Sequence, residues 1–200
     1  MFGLPSGPLL DPADVLTHGD APPIEEGFVV AALGASFLRE PHSTGASLSG
    51  SVEAVLVAPA ACLPLTRLAS ARVLVGRGLE GDRYAERRGT FGGNGGNGHD
   101  LTLIEAEALE ELARGGVELE WEEARRNLVT RGIDLNALVG RRFRIGEVEC
   151  VGRRLAEPCA HLQRLNRPGV LRGLVHRGGL RADILGEGVI SVGDAISAHA

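Results

Sequence analysis

The chain has 200 residues, 44% of them hydrophobic and 4% aromatic, with 26 acidic residues against 21 arginines for a net charge of −5. That is enough sequence for one domain with a core of Val, Leu, Ile and Ala, and it holds no apolar run long enough to span a bilayer. No basic stretch leads into an apolar one at the N-terminus, and three cysteines (Cys62, Cys150, Cys159) make no disulfide framework, so a reduced, cytoplasmic protein without nucleic-acid or membrane partners is expected.

Residues 1–50 hold six prolines and no sustained period. They read as a mobile extension, or as sequence ahead of the true start, with the domain proper over 51–200. Short β-branched, turn-bounded runs predict strands over 52–58 and 72–75. Gly76-Arg77-Gly78-Leu79-Glu80-Gly81 matches G-x-G-x-x-G. Residues 82–88 are too few for the helix that a dinucleotide site requires, so the motif reads as a turn. The glycine cluster at 92–98 reads as a flexible loop. A strand over 101–104 runs into a helix over 105–114, with Leu109, Leu112, Ala108 and Ala113 as its apolar stripe and Gly115-Gly116 as its stop. Further strands are expected over 143–145, 148–151, 180–185 and 192–197, and Pro158 opens a short helix. Many short strands, few helices and no regular βα alternation predict a mainly-β barrel with helical excursions.

Charge divides along the chain. Residues 1–48 carry one Arg against six acids and residues 49–124 seven against thirteen, whereas 125–200 carry thirteen Arg against seven acids. An anion would therefore bind the C-terminal part, although any single arginine could equally belong to a surface pair. Within it stands Arg153-Arg154-Leu155-Ala156-Glu157-Pro158-Cys159-Ala160-His161. Guanidiniums beside a thiol favour the thiolate, which attacks sulfur or binds a soft metal, and they offer forks to a phosphate. Cys62 and Cys150 read as small core residues. His176 reads as a turn histidine or, beside Arg177-Gly178-Gly179, as part of an anion nest. No C-x-x-C or H-E-x-x-H spacing supports a structural zinc. The chain has no lysine, which rules out a Schiff base with pyridoxal phosphate and a P-loop.

Six segments in order resemble the MOSC domain, named for the C-terminal domain of molybdenum cofactor sulfurases. They are Gly81-Asp82-Arg83, Arg126-Asn127-Leu128-Val129-Thr130, Gly132-Ile133-Asp134-Leu135, Glu157-Pro158-Cys159, His176-Arg177-Gly178-Gly179-Leu180-Arg181-Ala182 and Val192-Gly193-Asp194. The likeness runs over residues 51–198 and is to the short, stand-alone bacterial type. It implies a MOSC-type β-barrel and a molybdenum cofactor (molybdopterin). Cys159 would be the metal ligand or sulfur carrier. Arg126, Asn127, Thr130 and Arg131 would line the pterin, and His176, Arg177 and Arg181 would complete the anion site. Tyr84 stands where many relatives have histidine. The resemblance admits a molybdenum-dependent oxidoreductase, reducing a small N-hydroxylated substrate with an electron-transfer partner. It also admits a non-catalytic relay or cofactor carrier loaded by a separate sulfur donor. A vestigial anion-binding module is the third alternative.

Overall fold

The computed structural model describes residues 47–86, 88 and 97–198. The expected extension up to residue 46, and residues 92–96 of the glycine cluster, lie outside the described residues. The first strand, β1 (Ser49–Val57), begins two residues before the expected domain start. It is followed by β2 (Thr66–Leu68), β3 (Ser70–Leu74), β4 (Gly78–Leu79) and β5 (Leu101–Glu105). Helix α1 (Ala106–Arg114) leads to β6 (Leu128–Arg131), β7 (Arg142–Ile145) and β8 (Val148–Leu155). Helices α2 (Ala160–Leu165) and α3 (Val170–Gly173) precede β9 (Leu180–Ile184), β10 (Gly188–Ser191) and β11 (Ala195–Ala198).

Among the described residues, seven strands close a barrel in the order β11-β7-β8-β9-β5-β6-β1, with β1 pairing back onto β11. Closure leaves no free edge among those seven strands. β2 is added to β1, and β10-β3-β4 form a small separate sheet. The pairings are antiparallel except β5 with β6, which α1 connects as one βαβ unit. The architecture is therefore the mainly-β barrel expected, with three short helices.

The apolar runs of β1, β5 and β6 are continuous because both faces are buried. Val55, Val57, Leu103 and Leu128 point into the barrel with Phe143, Ile145 and Leu180. Leu56, Ile104 and Val129 point outward and pack under Leu109 and Leu112 of α1, Leu162 of α2 and Val170 of α3. Val52 also faces the interior, although it lies three residues from Val55, because the pairing of β1 with β6 shifts between Val52 and Ala54. α1 ends where Gly115 and Gly116 return their N–H groups to Glu111 O and Ala113 O. Cys150 is wholly buried, and burial pushes its thiol up to about 12.

Four expectations need correcting. The strand expected over 192–197 starts only at Ala195 as β11, because residues 192–194 are the turn from β10, with Gly193 at φ +91. β6 was not expected as a strand; its four residues are too few to show a period. The short helix begins at Ala160 rather than at Pro158, with Cys159 as its extended N-terminal neighbour. Cys62 is exposed in a turn at φ +62, not in the core.

Phe143 is 0% exposed at the centre of the barrel. Phe143→Ala is expected to lower unfolding free energy by about 3–5 kcal/mol. Urea denaturation checks this, and a loss below about 1 kcal/mol would contradict the packing described.

Candidate functional site

One pocket gathers side chains from five separate stretches of chain. The turn after β4 contributes Arg83 and Tyr84, β5 contributes Thr102, and the turn before β6 contributes Arg125 and Arg126. Glu157, Cys159, His161 and Leu162 come from the segment that leaves β8 and enters α2, and Arg181 comes from β9. The enclosed space is about 70 Å³, and it opens to solvent.

Arg126 is the buried base of this pocket. Its Nε donates to Gly178 O (2.9 Å), Nη1 to Ala124 O (3.1 Å) and Nη2 to Ala156 O (2.7 Å). No carboxylate among the described residues pairs with it. Burial above all, then the neighbouring Arg181, lowers its pKa to about 10, so it remains charged at neutral pH. A guanidinium has five N–H donors, which leaves two for the pocket. The segment carrying Cys159 is pressed against Gly178: a Cβ there would meet Ala156 O at 2.4 Å and Pro158 Cδ at 3.0 Å. At Gly179, φ is +98 and a Cβ would sit 1.8 Å from Leu103 O. The Gly-Gly pair is thus a close-approach device that lets the cysteine segment lie beside β5.

The opposite wall is braced by Asp82, which is 1% exposed. Its Oδ2 accepts from Ala58 N–H (3.1 Å) and Arg83 Nη1 (3.2 Å), and its Oδ1 accepts from Tyr84 N–H (3.0 Å). The Arg83 guanidinium lies 4.8 Å from the Tyr84 ring centroid, a cation–π contact. Arg125 sits at φ +59 and donates to Leu63 O (2.8 Å). Burial first, then Arg83, lowers its pKa. Arg181 has no hydrogen-bond acceptor among the described residues. Its pKa is lowered by burial and then by Arg154. Four arginines therefore face one lining carboxylate, Glu157. That carboxylate is engaged by His176, whose N–H donates to Oε2 (3.0 Å) and whose Nδ1 lies 2.8 Å from Oε1.

Of the residues expected at the site, the pocket takes in Arg126, Cys159 and Arg181. Asn127 is buried behind it in a reciprocal pairing with Thr102: Thr102 Oγ1 donates to Asn127 Oδ1 (2.8 Å), and Asn127 N–H donates to Thr102 Oγ1 (3.1 Å). Thr130 is 0% exposed and donates to Ile104 O (3.3 Å). Arg131 pairs with Glu110 (2.7 Å) and Arg177 with Glu111. His176 touches the site only through Glu157. Arg83 and Glu157 lie in the family-like segments and Tyr84 at their departure, but the sequence reading gives none of them, nor Arg125, a place in the site. The adjacency of Arg125 to Arg126 was the available signal for one of them.

The MOSC domain model matches residues 92–197, more than half of the chain. The chain belongs to the MOSC domain family. This MOSC chain is also similar in fold to solved bacterial structures. It matches the YuaD protein from Bacillus subtilis at 17% identity and TM-score 0.63, covering 76% of this chain and 96% of that one. It matches YiiM from Escherichia coli at 16% identity and TM-score 0.54, covering 75% and 70%. YiiM from Geobacillus stearothermophilus gives 16% and 0.55, covering 76% and 75%. No curated protein matches the sequence. The family is associated with the molybdenum cofactor, and the donor set fits that group: one soft thiol with guanidiniums suited to its phosphate.

Arg126→Lys keeps the charge but cannot fork to three carbonyls. It is expected to cost about 2–4 kcal/mol of stability by urea unfolding, since buried carbonyls lose their donors. A change below about 1 kcal/mol would show that the three bonds do not hold the segments together.

Proposed function

We propose that this MOSC chain binds the molybdenum cofactor in the arginine pocket, with Cys159 as the metal ligand. The observation that carries the reading is that Cys159 shares one pocket with Arg125, Arg126 and Arg181. In this reading Cys159 supplies a thiolate to the metal. The two unused N–H groups of Arg126, with Arg125, face the phosphate, and Tyr84 offers an aromatic face to a planar ring system. The cofactor, when bound, supplies oxygen-atom transfer, for instance in reducing an N-hydroxylated compound with electrons from a partner protein. The protein's part is orientation. Arg126 fixes the Cys159 segment through Ala156 O, and Gly178 lets that segment approach.

A second reading is favoured by the exposure of Cys159. An accessible thiol suits a sulfur relay, in which the Cys159 thiolate attacks the outer sulfur of a donor protein's persulfide, the donor leaves as its thiolate, and Cys159 keeps the persulfide for delivery elsewhere. Both readings assign the chemistry to the same residue and differ in what it holds.

Wild-type protein from a cofactor-producing host is expected to carry near-stoichiometric molybdenum. Cys159→Ser is expected to lower the metal about tenfold or more, read by mass spectrometry. Equal metal in both proteins would refute ligation by Cys159. A persulfide on Cys159 in metal-free wild type would select the relay.

A further inference from the structure

β8 and β9 carry a like-charge pair that has no counter-charge among the described residues. The register of the two strands shifts between Gly152 and Arg154. A bulge of this kind sets two consecutive residues against one on the partner strand and re-aims their side chains. Here Arg153 and Arg154 are both exposed, where strict alternation would have turned one of them inward. Arg153 takes the nearby acid, its Nε donating to Asp183 Oδ2 (2.7 Å). The other Asp183 oxygen accepts from Gly98 N–H (2.6 Å), so both oxygens of that carboxylate have partners. Arg154 is left directly opposite Arg181 in the ladder. Like charges facing across strands are destabilising.

Neither Arg154 nor Arg181 has an ion pair or hydrogen bond among the described residues. The sequence from Arg87 to Gly98, whose last residue packs on the Cβ of Arg181, contains no carboxylate. Arg181 also lines the Cys159 pocket, so the pair sits at the pocket's edge. Two adjacent forks that repel each other are satisfied together by one oxyanion carrying two charges.

We infer that Arg154 and Arg181 form an anion subsite at the edge of the Cys159 pocket that takes a phosphate monoester group. This deepens the proposed function by adding a phosphorylated ligand class, yet the subsite itself does not require the cofactor reading to hold. The phosphate is the substrate's, since the proposed function gives the cofactor's phosphate to Arg125 and Arg126.

The test uses full-length protein from a host unable to make the cofactor, titrated with inorganic phosphate by calorimetry. Arg154→Gln and Arg154→Glu are both expected to weaken phosphate binding by about tenfold or more. Arg154→Glu is also expected to leave the phosphate-free Tm equal to or above that of wild type, since it gives Arg181 a carboxylate partner. Phosphate should raise the Tm of wild type only. Affinities within about twofold of wild type in both variants, or a lower phosphate-free Tm for Arg154→Glu, would overturn the subsite. In a cofactor-producing host, Arg154→Gln is expected to carry as much molybdenum as wild type, and a parallel loss of metal would overturn the assignment of the phosphate to a substrate. Loss of metal in Cys159→Ser reads the cofactor proposal separately, because phosphate binding is measured without cofactor.

Discussion

The site depends on a buried cation held by backbone carbonyls. Arg126 binds Ala124, Ala156 and Gly178 at once, and those carbonyls belong to three stretches of chain that the fold must bring together. A buried charge without a carboxylate partner is costly unless its donors are satisfied. Three charge-assisted bonds satisfy most of them. The same bonds set the exit of β8 and the entry to β9, and hence the place of Cys159. The charge also remains available to the pocket, because no carboxylate among the described residues pairs with it.

Around that centre, the barrel works by taking up and withholding counter-charges. Asp82 is spent on Arg83 and on two backbone N–H groups, and Asp183 is spent on Arg153 and Gly98. Glu157 is turned toward His176. The guanidiniums of Arg125, Arg126 and Arg181 therefore bring their excess charge to the pocket that contains the thiol of Cys159. The electrostatic character of the pocket comes from this allocation more than from the number of arginines in the sequence.

Much of the fold was legible because its cause is local. The β-branched runs of β1 and β5, the leucine stripe of α1 and its glycine stop are written in neighbouring residues. β2, β4, β6 and β10 are not, since strands this short are legible only where a turn-bounded apolar alternation marks them, as Phe143 and Ile145 mark β7. The site was legible in part. Cys159 and Arg126 stood out by their surroundings, whereas Asn127, Thr130 and Arg131 share a motif with Arg126 without sharing its pocket. Adjacent residues on a strand face opposite ways, and a motif read as a block does not reveal which of its members face the ligand.

By itself the sequence determined the mainly-β architecture, the family, the concentration of positive charge after residue 125, and the absence of lysine chemistry. These follow from residue types and their order. Only the tertiary structure decided which arginines converge, because that depends on long-range pairings such as β8 with β9 and on a one-residue bulge within them. It also decided that Arg126 is buried and bound by carbonyls, that Arg154 faces Arg181, and that Cys62 lies in an exposed turn. A register shift moves a side chain by one face at no change in composition, so composition and spacing contain no record of it.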